Sequence, residues 1–222
     1  MSLEQTRDGW HRVAEHVIAA AQYADSGEIA LRVMANGFGT TSGQRQLSVL
    51  GTQLVVADDS GTRSAPLTTI TAAAALVGIA PGLPASVYPP ATPLAPDDVL
   101  HLDAASAQRL ADWYLLGDEA LRRLASDTGS AQEPILWPEH FDVGITLDAV
   151  NFGASPGDDR LAQPYVYVGP HAGPPTRDEF WNTSFGAART IDEIPSVDAA
   201  VAFFHECRRR LSESMQSDHR SL

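Results

Sequence analysis

His140 and Asp142 stand two residues apart in the segment 135–147, which reads as a strand. Alternate residues on a strand share a face. Both side chains therefore project together, while Trp137, Phe141, Val143, Ile145 and Leu147 form a core stripe on the other side. An imidazole oriented by a carboxylate can serve as a general base, which makes this pair the catalytic candidate. The same two residues are weak metal candidates, with Asp158 or His171 as a further donor. No Glu-x-x-His or His-x-x-x-His spacing completes a metal site. The favoured reading of Asp142 is structural: a carboxylate that accepts backbone N–H bonds from the turn at 151–158.

Asn151, Ser155 and Asp158 belong to types that bond neighbouring backbone in turns. The same groups, on a loop carried by a rigid sheet, can present polar atoms to a ligand. Tyr165 and Tyr167 share a face of their strand, with Trp137 and Trp181 on neighbouring segments. They form either half of a core or an aromatic binding wall, and the high average burial of large aromatics favours the core. The ligand-binding candidates are thus Asn151, Ser155, Asp158, Tyr165, Tyr167 and Trp181.

Leu136-Trp137-Pro138-Glu139-His140-Phe141-Asp142, Asn151-Phe152-Gly153-Ala154-Ser155-Pro156-Gly157-Asp158 and Pro164-Tyr165-Val166-Tyr167-Val168 form one block. It resembles the C-terminal half of a widespread, mostly actinobacterial family of proteins of unknown function. The likeness extends upstream through the hairpin at 53–67, the Pro-rich loop and the helix after it. The resemblance implies no activity. It attaches the motif more firmly to the aspartate than to the histidine, which weighs against a mechanism that needs His140.

Two other motifs are refused by their mechanics. Gly153-Ala154-Ser155-Pro156-Gly157 matches a nucleophile elbow, but there the residue after the serine opens a helix and donates its N–H to the oxyanion. Pro156 has no N–H. Gly37-Phe38-Gly39 with Gly43 hints at a phosphate loop, but residues 46–50 alternate like a strand where a helix is required. A glycine-permitted turn is the reading. Asp103, after His101, is an N-cap. Cys207 is a buried, inert thiol, and Arg208, Arg209 and Arg210 complement the dipole of the last helix.

Composition narrows the classes. The 222 residues are 44% hydrophobic, enough for one large core without staples. A net charge of −13 and a pI near 4.7 argue against nucleic-acid and membrane partners. The chain has no lysine, which excludes Schiff-base, P-loop-lysine and lysine-base chemistry. No cofactor is expected. One cysteine fits a reducing compartment, and neither a secretory leader nor a span of about 20 apolar residues is evident. The expected location is the cytoplasm.

Apolar periodicity predicts a helix over 6–24, with Trp10, Val13, Val17, Ile18 and Ala21 inward. It predicts strands at 28–36 (Ile29, Leu31 and Val33 inward), 46–50, 53–57 and near Arg63, then a helix from Thr68 or Thr69 to Gly78. Residues 80–98 carry six prolines and form an extended crossover, with room for a short edge strand at 86–88. A helix from Asp103 to about Ala125 follows, with Leu110, Trp113, Tyr114, Leu121 and Leu124 as its stripe. Strands are expected at 135–147, 164–168 and 180–190, a helix over 196–211 with Val197, Ala200, Val201, Phe204 and Leu211 inward, and a frayed tail over 212–222.

The fold class is α+β: a mainly antiparallel sheet with helices on one face, in a single compact domain. The elements also read as two αβββα halves, 1–79 and 103–215, joined by the crossover. The Gly-rich segments at 36–43 and 151–157 echo each other. Duplication is one reading of that echo and chance likeness of turns is the other. The leading functional expectation is a soluble cytosolic protein that binds a small ligand or peptide where the 151–158 loop, the His140/Asp142 face and the crossover meet. A hydrolase-like or isomerase-like enzyme using His140 and Asp142 is the alternative. A structural or partner-binding module is the third.

Overall fold

The computed structural model describes residues 2–219. The chain divides into two compact units, one made of residues up to Leu115 plus Ile135–Asp142, the other of Leu116–Pro134 plus the residues from Val143 onward.

The first unit opens with helix α1 (Leu3–Val13), entered through a capping box in which Ser2 and Gln5 satisfy each other's backbone N–H. The helix does not stop at Val13. It widens into a π-helical segment (Ala14–Ala19) and resumes as α2 (Ala20–Ser26), ending at Gly27 in the left-handed conformation. All six residues of the π segment are buried. The sequence periodicity finds this helix and its inward side, but gives no sign of the π turn.

Strands β1 (Leu31–Met34), β2 (Gly37–Thr40), β3 (Gln46–Leu50), β4 (Gln53–Asp58) and β5 (Gly61–Pro66) pair in succession, all antiparallel. Leu31, Phe38, Leu47, Val49, Leu54 and Val56 point inward and are buried. Of the inward set expected for the first strand, Leu31 alone is buried; Ile29 precedes the strand and Val33 is half-buried. The segment expected as a Gly-rich turn is itself strand β2. Its glycines are needed for close approach, since a Cβ at Gly37 would run into the Val49 carbonyl.

Helix α3 (Ile70–Val77), capped by Thr69, packs on β4, β5 and the π segment, so both helices cover one face of this sheet. Helix α4 (Ala104–Asp127) is capped by Asp103, whose carboxylate accepts the Ser106 N–H at 2.8 Å. Leu110, Trp113 and Tyr114 on its first half are buried. Strand β6 (Ile135–Trp137) joins the sheet beside β1, with Leu136 opposite Leu31. No strand forms at 86–88.

In the second unit, β7 (Asp142–Leu147), β8 (Val150–Ser155), β9 (Tyr165–Pro170) and β10 (Ala187–Thr190) form an antiparallel meander. Helix α5 (Val197–His219) packs on β9, and Phe152 meets Phe204 edge to face at 5.7 Å. Leu121 and Leu124 of α4 and Ala200, Phe203, Phe204 and Cys207 of α5 are buried. Val197, Val201 and Leu211 are only half-buried. Helix α5 runs past the end expected at 211, and residues 220–222 of the expected frayed tail lie outside the described residues.

The chain is therefore α+β, and the strand pairs described above are all antiparallel. Each chain half orders itself as helix, five strands, helix, where three strands per half were expected.

Candidate functional site

The segment 135–147 is not one strand. Residues 138–141 form a turn, and Phe141 at φ 52° takes the left-handed conformation that a bulky residue rarely adopts. The amide of Phe141 bonds the Trp137 carbonyl at 2.7 Å, and its own carbonyl accepts the Tyr114 hydroxyl at 2.6 Å. Its buried ring stacks on His11 at 5.0 Å and meets Phe38 and Tyr114 edge to face. That aromatic packing and the Tyr114 bond together hold the turn. It overturns the shared-face geometry of the catalytic pair: His140 is an exposed turn residue, whereas Asp142 begins β7 half-buried. Burial, then the charge of Asp142, keeps the Tyr114 phenol protonated.

In the second unit the other candidates separate into three places. Asn151 is exposed on β8, accepting the Thr146 hydroxyl at 2.8 Å with Nε2 of His171 at 3.0 Å from the same oxygen. Ser155, 4% exposed, is not the loop residue expected but the last residue of β8, and its Oγ accepts the Gly157 N–H. Asp158 shapes the turn that follows. Its Oδ1 accepts the Arg160 and Leu161 amides at 2.7 and 2.9 Å, and its Oδ2 accepts the Tyr165 hydroxyl at 2.7 Å. Burial alone would raise the Asp158 pKa, but the bonds from Leu161, Tyr165 and Arg160 outweigh it and hold the carboxyl below its ordinary value.

Tyr165 is buried, and Tyr167 lies beside it at 6.1 Å, half-buried, with its ring laid over Gly153 where a Cβ would collide. The pair is thus part core and part cover for a glycine. Trp181 is buried against Phe180 and lines a cleft of about 320 Å³ with Arg177, Asp178, Asn182, Thr183 and Ser184. The loop uses most of that polarity itself: Asp178 accepts the Phe180 and Trp181 amides and the Thr176 hydroxyl, and Asn182 pairs with the Ala188 backbone. The strand expected over 180–190 starts only at Ala187.

The densest buried polarity lies elsewhere, on the π segment of the first unit. Glu15 and His16 are 0% and 1% exposed, a level at which charged side chains occur only with partners. The Pro-rich crossover supplies them. Oε1 of Glu15 accepts the Ala91 amide at 2.8 Å, and Oε2 accepts the Thr92 amide at 2.9 Å and hydroxyl at 2.6 Å. Nε2 of His16 lies 3.0 Å from the Thr92 carbonyl, and the His16 carbonyl accepts the Gly82 amide. Arg12, one turn earlier, donates to the carbonyls of Leu94 and Ala95. The crossover is latched to the helix along its length.

Not every group in this layer is satisfied. Nδ1 of His16, the hydroxyl of Tyr88 and Oε2 of Glu139 are buried without a hydrogen-bond partner, as are Nε of Arg12 and Nη1 of Arg7. Tyr88 comes from the crossover and Glu139 from the 138–141 turn. Burial first, then the nearby charges of Glu15 and Glu139, raise the Tyr88 pKa and keep the phenol neutral. His11, donating to the Pro138 carbonyl at 2.9 Å, has its pKa lowered by burial, against the opposing charge of Glu15. A sequence pattern cannot find these residues, because their partners lie some 75 positions away. The available signal was a helix apolar almost all round, from Val13 to Ala21, which must be covered on every side.

Among the described residues no three His, Cys, Asp or Glu side chains come together as a metal site, so His140, Asp142, Asp158 and His171 are not assembled into one. No helix among them is long and apolar enough to cross a membrane. No family model matches the chain, and no curated protein or solved structure matches it either.

Proposed function

We propose that this protein binds a small polar ligand, and that the site is the layer between the π segment and the Pro-rich crossover. The observation that carries the reading is the concentration of buried, unpaired polar atoms there: Nδ1 of His16, the Tyr88 hydroxyl and Oε2 of Glu139. Native proteins leave few such groups, each at a cost of about 1–3 kcal/mol. A ligand that satisfies them recovers that cost on binding. Two further features support the reading. π-helical turns recur at functional sites, and a crossover latched by side chains rather than by a sheet ladder can open more readily than the sheet beside it.

This reading moves the site away from His140 and Asp142 and leaves both as residues of a turn and a strand. The single cysteine, which can form no internal disulfide, supports a reducing compartment such as the cytoplasm on this account. The likeness of the 136–168 block to an actinobacterial family adds no activity to it.

The test is a thermal-shift screen of small polar metabolites against the wild type and Tyr88→Phe. Compounds that raise the wild-type melting temperature and lose that effect in Tyr88→Phe are expected. A screen without hits, or hits indifferent to the substitution, contradicts the reading.

A further inference from the structure

Strand β10 ends the meander of the second unit, with β9 as its neighbour. An antiparallel strand turns the N–H and C=O groups of successive residues to opposite sides. The Ile191 amide, one residue past β10, donates to the carbonyl of Pro164, one residue before β9, at 2.8 Å. The backbone groups of Ala187, Arg189 and Ile191 therefore face β9, and those of Gly186, Ala188 and Thr190 face away from it. An outward row of this kind is a template on which another strand can pair.

Here the row is already filled. The Gly186 amide donates to the Thr183 hydroxyl at 3.0 Å, and the Gly186 carbonyl accepts the Thr183 amide at 3.0 Å. Asn182 meets Ala188 as a neighbouring strand would: its Oδ1 accepts the Ala188 amide at 2.9 Å and its Nδ2 donates to the Ala188 carbonyl at 3.2 Å. The Thr190 amide donates to Oε2 of Glu193 at 2.8 Å, and the Thr190 carbonyl accepts the amides of Glu193 and Ile194. Ala188 is only 3% exposed although it lies on an edge strand. The segment that carries Asn182 is itself anchored, with the guanidinium groups of Arg189 and Arg210 over the Phe180 ring at 5.1 and 3.9 Å and Trp181 buried.

Water satisfies exposed edge groups nearly as well as protein does, so each of these bonds adds only a modest net gain to the fold. What they do that water does not is deny the edge to another strand. We propose that Asn182, Thr183 and Glu193 form a built-in stopper that keeps the β10 edge from pairing with the same edge of a second copy of this chain. Identical antiparallel edges pair about a two-fold axis, so every molecule would otherwise carry its own partner.

The test uses Asn182→Ala and the Asn182→Ala, Glu193→Ala double variant of the full chain, in salt enough to screen the net charge of −13. Hydrogen exchange at the Ala188 amide should be about tenfold or more faster in Asn182→Ala than in the wild type, with exchange at Arg189, which faces β9, unchanged. The double variant should keep the wild-type circular dichroism and sediment, at rising concentration, as a larger species than the wild type. Adding Ala188→Pro removes an outward N–H but no bond to β9, and should restore the wild-type sedimentation. Unaltered exchange at Ala188, a double variant that sediments as the wild type does, or association that survives Ala188→Pro would each overturn the proposal. Should the double variant not fold, Asn182→Ala decides by the same exchange and sedimentation readouts.

Discussion

Tyr114 on helix α4 donates its hydroxyl to the Phe141 carbonyl at 2.6 Å, so a helix residue helps fix the left-handed turn between β6 and β7. Tyr114→Phe leaves that carbonyl buried and unpaired with almost no change in volume. A loss of about 1–2 kcal/mol is expected from the urea midpoint, with the slope of the transition unchanged. An unaltered midpoint would mean that the aromatic packing holds the turn alone.

Glu15 is expected to be the strongest single latch on the crossover. Glu15→Ala strands the Ala91 amide and both donors of Thr92, a loss on the order of 3 kcal/mol. Glu15→Gln keeps one acceptor oxygen and should cost less. Limited proteolysis should cut within residues 80–98 of Glu15→Ala before it cuts the wild type. Equal cleavage rates would show that Arg12 and Gly82 suffice to hold the segment.

The burial of His11 gives stability a defined pH dependence. Its folded pKa lies below the ordinary value, which is about 6.5. As the pH falls below about 6.5, the unfolded chain takes up a proton that the folded chain refuses, so the His11 contribution to stability is lost on acidification. His11→Gln retains a donor for the Pro138 carbonyl but does not titrate. Its stability should fall less steeply than that of the wild type between about pH 6.5 and 5. Parallel stability profiles would refute the assignment.

Ser155 should remain unlabelled by fluorophosphonate probes. It is buried in β8, its oxygen is occupied by the Gly157 amide, and Pro156 has no N–H for an oxyanion hole. Labelling that disappears in Ser155→Ala would reverse this.

Much of the framework was legible in the sequence because it depends on local pattern. The buried stripe of α4, the β3–β4–β5 hairpins, the Thr69 and Asp103 caps and the exclusion of helix from the proline segment all follow from spacing and turn chemistry. What failed depends on distant partners. The alternation of 135–147 reads through Phe141, whose left-handed backbone is held by His11, Phe38 and Tyr114. Gly37 and Gly153 read as turn residues because glycine does not reveal whether it bends the chain or makes room for a neighbour; here a Val49 carbonyl and a Tyr167 ring take that room. Glu15 and His16 look like solvent-facing helix residues until the crossover is laid over them.

The proposed duplication keeps one support and loses another. Both chain halves run helix, five strands, helix. The echoing segments, however, fall on the second strand of the first half at Phe38 and the third strand of the second half at Phe152, so the sequence likeness does not align equivalent strands.

Native mass spectrometry of the protein as purified, without chelator or denaturant, tests the central claim most directly. A ligand-binding layer on the π segment predicts a small-molecule adduct on the wild type that is absent from the Glu139→Gln, Tyr88→Phe double variant folded to the same urea midpoint. Masses equal to those of the bare chains for both proteins, or an adduct retained by the variant, would contradict it.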